Sequence, residues 1–217
     1  RELMNQSEVF VAYGNTLWYT IVGTSLNVIF TMMAAYALSI KTFCLRKFVS
    51  LFITITMFVS GGIIPTYIVV CKTGLYDSRW SLVIPTLVSA YNLIIARTFI
   101  RSNIPKELYE AAEIDGANRF KRILHITLPT ILPIIMTMLL LKIGNFMEIG
   151  FEKTNSFMNS MNQDRIDVFD TFVYRYGLQN LQYSYATAVG LFKSVIGIAL
   201  LFLANAFSKK TTKQSII

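Results

Sequence analysis

The side chains that could do chemistry in this chain are few, and most stand where charge is costly. Lys142, Asn145 and Glu148 recur every three residues along one apolar run, and Lys193 lies near the middle of another. An ionisable group at a bilayer centre costs about 2.5–3.5 kcal/mol on insertion scales, so such groups by default face a bundle interior or a water-filled path. Tyr91 and Asn92, with Asn145, Phe146 and Tyr185, supply hydrogen-bonding groups and ring faces nearby. The plainer reading is that Lys142 snorkels outward and Lys193 pairs with a carboxylate for packing alone. Covalent chemistry is not in the pattern. Ser, Cys and His form no nucleophile arrangement, and the single histidine, His125, lacks the convergent ligands of a metal site. Cys44 and Cys71 flank an apolar run, which sets them on opposite sides of a membrane and out of pairing reach. No G-x-x-x-x-G-K-[ST] loop is present to cradle phosphates. No catalytic residue, metal or cofactor is expected, and ATP energy must come from another chain.

The elements that position these groups follow from composition. The chain has 217 residues, 54% hydrophobic and only 15% charged, against roughly 25% charged in soluble domains. That is the balance of an integral membrane protein. Its net charge of +8 reads as loop bias, with no nucleic-acid partner expected. About 20 apolar residues cross roughly 30 Å of hydrocarbon, and five segments qualify: 17–40, 48–70, 80–100, 129–150 and 184–207. The fold class is therefore all-α, a polytopic membrane helical bundle, expected as one domain over 1–217. The second span carries Gly61-Gly62-Ile63-Ile64-Pro65, so its outer end is expected to be kinked or unwound.

Lys and Arg set the orientation. Lys41, Arg46 and Lys47 lie in the first connection, and Arg101, Lys106, Arg119, Lys121 and Arg122 in the third. Lys209, Lys210 and Lys213 lie in the tail. The positive-inside rule puts those connections and the C-terminus in the cytoplasm and the N-terminus outside. The chain opens on Arg1 without a signal segment, and its start reads as a truncation or internal boundary with a preceding span missing.

One connection is unlike the rest. Residues Glu110–Pro129 read EAAEIDGANRFKRILHITLP, charged and helix-forming between two apolar runs. Ser102 or Asn103 is expected to cap a helix with Pro105 in its first turn. Asp115-Gly116 ends it in a left-handed turn, and a second helix runs from about Ala117 to Leu128, closed by Pro129. Phe120, Ile123, Leu124 and Leu128 form one apolar stripe on that helix. Periodicity leaves two partners open: the lipid surface, or a groove on a soluble protein.

Glu110-Ala111-Ala112, Gly116 three residues beyond, and Ile126 with Leu128-Pro129 at the end keep a recognisable spacing. This resembles the EAA loop of permease subunits in binding-protein-dependent ABC importers, type I fold. The resemblance implies that Glu110, Ala111, Ala112, Asp115, Gly116, Ala117, Phe120 and Leu124 form a cytoplasmic coupling helix docked on an ATPase subunit. It implies a second permease, two ABC ATPase subunits that bind the ATP, and an extracellular sugar-binding lipoprotein as partners, in a bacterial cell membrane. The remaining sequence is similar to the carbohydrate branch of the family, in particular the paired permeases of polysaccharide and oligosaccharide uptake. Ala34–Ser39 and Thr56–Val70 resemble one partner of the pair, Gly144–Thr154 and Asp170–Gly197 the other, as in a hybrid. Tyr91, Asn92, Lys142, Asn145, Glu148 and Lys193 are then candidates for the translocation path. The rival readings are a secondary transporter or channel, for which the connection would rest on lipid, and an inactive fragment or hybrid permease.

Overall fold

Apolar runs of this length must satisfy their backbone groups internally, and helices do so within one segment. A computed structural model describes residues 7–40, 43–59, 61–144 and 150–212, and among these the chain is helical with no strand. In order the helices are α1 (Ser7–Ser39), α2 (Arg46–Phe58), α3 (Ile63–Lys72), α4 (Trp80–Val83), α5 (Ala90–Asn103) and α6 (Lys106–Ile114). They continue with α7 (Arg119–Arg122), α8 (Leu128–Gly144), α9 (Phe151–Phe157), α10 (Gln163–Ile166), α11 (Phe169–Tyr174) and α12 (Tyr183–Thr212). Wider π-helical turns, Ile123–Thr127 and Arg175–Gln179, follow α7 and α11.

Among the described residues, three helical stretches are long and apolar enough to cross a membrane: Glu8–Ser39, Phe120–Leu139 and Tyr183–Ala206. A fourth is reached if Trp80–Thr86 and Ala90–Asn103 are one broken span. The second expected span is interrupted between α2 and α3, where Gly62 takes φ +77°. On α12, Leu191, Phe202 and Leu203 are exposed, Phe202 to 69%. Such a surface suits lipid rather than water.

Two elements run past their expected bounds. Helix α1 begins ten residues before Leu17, and its 33 residues make a rod of about 50 Å, longer than the bilayer core. The extra turns bury Val9 and Ala12 against Phe169, Phe172 and Val189. Pro129 does not close its element either. The preceding π turn, with Leu128 N–H bonded to Ile123 C=O, widens the helix where the proline ring would otherwise clash, and α8 runs on.

The fold divides into two compact units. The first comprises Arg1–Leu26, Gly61–Leu87 and Leu140–Ala206, the second Asn27–Ser60, Val88–Leu139 and Phe207–Ile217. The first has a core of Tyr19, Val70, Leu82, Val83, Phe157, Ile166 and Val168, beside the cluster around Phe169. In the second, Met32 and Ala35 meet Ala96, Ile100, Ile131 and Met138. Ala35 and Ala96 are both fully buried, small residues that let helices approach closely.

Candidate functional site

In the charged connection, Pro105 forces Ile104 into an extended conformation (φ −112°, ψ 102°), and α5 ends there. Ser102 and Asn103 therefore do not cap α6: both lie in the last turn of α5 and donate side-chain hydrogen bonds to Phe99 C=O, at 3.1 and 3.0 Å. Pro105 stands at the N-cap of α6. At the far end, Ala117 N–H reaches Ala112 C=O (2.9 Å) and Gly116 N–H reaches Glu113 C=O (3.1 Å). That reciprocal pair, with Gly116 at φ +72°, is a Schellman stop.

Beyond it the chain is tied back. Tyr109 Oη and Thr127 Oγ1 are 2.6 Å apart, and Arg122 Nη1 donates to Glu113 Oε2 at 3.0 Å. Tyr109 and Ile126 pack on the second unit's core. With those groups turned inward, the others face out: Ile114 is 86% and Phe120 71% exposed, and Leu124 and Leu128 are exposed as well. Glu110, Ala111 and Asp115 are exposed, and Ala112 and Ala117 half-buried. His125 Nδ1 lies 3.1 Å from Lys121 C=O, within its own helix.

The translocation candidates are placed less uniformly. Lys193 Nζ donates to Asp170 Oδ1 at 2.5 Å and sits 5.8 Å over the Phe169 ring, within the first unit. Tyr91 and Asn92 belong to the second unit, in the first turn of α5. Tyr91 is exposed, and Asn92 N–H bonds to the capping Ser89 hydroxyl. Asn145, Glu148 and the Lys142 side chain lie outside the described residues. Because both members of the Lys193–Asp170 pair are about a quarter exposed, removing one is expected to cost roughly 1–3 kcal/mol, between surface and buried pairs. Lys193→Leu should lower the yield of folded chain, and Lys193→Leu with Asp170→Leu should restore it. Uptake that stays low in the restored double variant would mark Lys193 as part of the path; uptake that returns with yield would mark a packing pair.

A polar network in the first unit is absent from the sequence-based candidates. Asn15, 4% exposed, donates from Nδ2 to Asp164 C=O (2.9 Å) and Asp167 C=O (3.0 Å) and accepts from Arg79 Nη2 (3.0 Å). Tyr19 Oη donates to Arg165 C=O, and Phe169 N–H donates to Thr16 Oγ1. Asp167 accepts from Thr171 Oγ1 and from Arg175 Nη2, both at 2.6 Å. Burial pushes the Asp167 carboxyl above its ordinary range, against the pull of Thr171 and Arg175. Beside the network is an open pocket of about 350 Å³ lined by Trp18, Asp77, Ser78, Arg79, Trp80 and Arg165. A signal existed in the buried Thr16, Thr20, Asn27 and Thr31, whose spacing makes a polar stripe along one face of α1.

Comparison with known proteins settles the family. Residues 27–213 match the model of the binding-protein-dependent transport system inner membrane component. The chain belongs to that family. It is thus, in fold and class, a helical inner-membrane component of a transport system. Among curated relatives, this chain is 49% identical over 115 residues to Protein LplB of Bacillus subtilis, covering 53% of its own length and 36% of the relative's. It is 45% identical over 113 residues to YteP of the same organism, the polygalacturonan/rhamnogalacturonan transport system permease, covering 52% of this chain and 35% of the relative. The chain thus spans about a third of these curated relatives' length. A crystal structure of a bacterial alginate ABC transporter, in complex with an alginate pentasaccharide-bound periplasmic protein, superimposes with a TM-score of 0.80 at 26% identity. The match covers 99% of this chain and 83% of that one.

Proposed function

We propose that the chain is the transmembrane permease subunit of an ATP-driven importer, taking a sugar or oligosaccharide from an external binding protein across the cell membrane. The observation that carries the reading is the outward ridge of Ile114, Phe120 and Leu124, held by the Gly116 turn and by the Tyr109 and Arg122 contacts. Three large apolar side chains on a charged connection suit a helix-in-groove contact. The partners are two ABC ATPase subunits, which bind the ATP, a second permease, and a sugar-binding lipoprotein outside. The permease itself is not an enzyme and needs no cofactor. Residues 1–217 act as one transmembrane domain, α1 contributing to both units. The names of YteP and of the alginate transporter support a polysaccharide-derived cargo.

Coupling follows from differential binding. A ridge that binds two ATPase states with different free energies shifts the spans between two arrangements, and one that binds both equally shifts nothing. Phe120→Glu with Leu124→Glu places two carboxylates where the groove must desolvate them. The chain should remain in the membrane while co-purified ATPase falls about tenfold or more, a loss of at least ~1.4 kcal/mol. Full retention would remove the ridge from the coupling role.

The C-terminus and the charged connection are read as cytoplasmic from the Lys and Arg distribution. Cys44 and Cys71 are both exposed, so both are first replaced by serine. Cysteine at Met161, 92% exposed, should then react with an impermeant thiol reagent added to intact cells, whereas cysteine at Asn118 should not. The reverse pattern would invert the topology.

A further inference from the structure

We propose that the pocket between Trp18 and Trp80 is a second sugar site, holding one carboxylate-bearing unit of an incoming oligosaccharide. The proposal rests on the importer reading above and adds the acidic class of cargo and the place where it first touches the permease. The chain has two tryptophans in 217 residues, and both line this one pocket. Their rings meet edge to face at 5.9 Å, with the Arg79 guanidinium 5.3 Å over the Trp18 ring. Asn15 fixes Arg79 through Nη2, and Trp80 keeps 41% of its surface exposed. A sugar has apolar C–H faces, and a ring held in place with surface to spare is a stacking platform for one.

The charge of the lining selects among sugars. Two arginines and one aspartate line the pocket, and Asp77 Oδ1 is already occupied by Asn159 Nδ2 (3.0 Å) and Asn162 Nδ2 (3.3 Å). The Arg165 carbonyl is fixed by Tyr19, while among the described residues its exposed side chain has neither ion pair nor hydrogen bond. A guanidinium fork anchored at its backbone and open at its tip matches a carboxylate bidentately. A neutral sugar would leave that charge unanswered. At about 350 Å³, the volume lies at the small end of ligand sites, room for one or two rings. Residues 71–80 and 150–183, which carry most of the lining, fall in the connections that the charge rule assigns to the outside.

The two tryptophans make the test label-free, since the intrinsic emission of the chain arises in the pocket. The full chain, purified in a zwitterionic detergent because a maltoside headgroup would compete, is titrated with trigalacturonate and, separately, with neutral maltotriose. Trigalacturonate should give a saturable change in emission, with maltotriose binding about tenfold more weakly, as expected for one lost charge-assisted contact. Arg165→Gln, at an exposed side chain, should keep the thermal transition of the chain and weaken trigalacturonate by about the same factor. No saturable change, an equal response to maltotriose, or an unaltered Arg165→Gln titration overturns the proposal. Displacement of trigalacturonate by phosphatidylglycerol at stoichiometric amounts also overturns it, assigning the pocket to an anionic lipid headgroup. A blank titration from chain that still co-purifies with its ATPase subunit sinks the pocket alone. A blank titration from chain that never holds an ATPase sinks the importer reading with it.

Discussion

Replacing Gly116 with valine is expected to leave the chain in the membrane and strip it of its ATPase subunit. Gly116 sits at φ +72°, where an L-residue costs roughly 1–2 kcal/mol and a β-branched one more. Crowding is not the obstacle, because a Cβ added there meets nothing within 4 Å. The strain is in the backbone, and the cheapest relief is to abandon the two bonds of the stop, Ala117 to Ala112 and Gly116 to Glu113. The direction in which the chain leaves α6 then changes, and Phe120 and Leu124 move relative to Ile114. A groove that requires all three at once loses them together. Gly116→Asn, which tolerates the left-handed region, should retain most of the ATPase. In the valine variant, retained ATPase should fall by about tenfold or more. A helix resting on lipid has no reason to distinguish valine from asparagine at this position, so equal behaviour of the two would defeat the coupling assignment.

Arg175→Met should be the most destabilising single change in the first unit. Its guanidinium bonds Asp167 at 2.6 Å, lies 3.5 Å from Glu8, and covers the rings of Phe172 and Tyr176. Methionine keeps the bulk and removes the charge. Asp167 is then left buried with Thr171 as its remaining side-chain donor, a situation that costs about 3–5 kcal/mol. The loss is pH-dependent. Burial already holds this carboxyl above its ordinary range, and without the cation it rises further, so the folded chain keeps a proton that the unfolded chain releases. A raised carboxyl contributes its stability below the unfolded value and loses it as pH climbs through the folded value. The deficit of the variant should therefore be smallest in acid and widen toward neutral pH, as followed by thermal unfolding in detergent. Asp167→Asn, which removes the buried charge and keeps an acceptor for Thr171, should cost less than Arg175→Met. A deficit that is flat with pH would place the effect in lost packing.

What the sequence makes legible here is mostly local. Gly116 needs only its neighbours to adopt a left-handed turn, and the break before Ile63 comes from Gly62 in its own segment. Phe120, Leu124 and Leu128 keep the exposed side of the expected stripe, whereas Ile123 is half-buried and Ile114 joins the ridge from across the Gly116 turn. What stays hidden depends on partners far along the chain. Asn15 reads as a polar lead-in until Asp164 and Asp167, about 150 residues away, supply its acceptors. Arg79 looks like an isolated loop cation until Trp18 and Asn15 meet it. Pro129 reads as a helix stop because α-helical geometry cannot hold it, whereas a π turn can. Ser102 and Asn103 look like caps because their types suit that role, and a helix that runs past them converts both into back-bonding donors. The path candidates divide in the same way: the Lys193 pairing with Asp170 was open to anticipation as the packing alternative, while Tyr91 and Asn92 had no local signal to fix their surroundings.

The most direct test of the coupling claim places the photo-reactive residue p-benzoylphenylalanine at Ile114, the most exposed apolar position of the ridge. The protein is irradiated in intact bacterial membranes, and the adducts are identified by mass spectrometry. An ATP-hydrolysing subunit as the main adduct, with none from the same probe at Met161, is the result expected. Lipid adducts alone at Ile114 would contradict it.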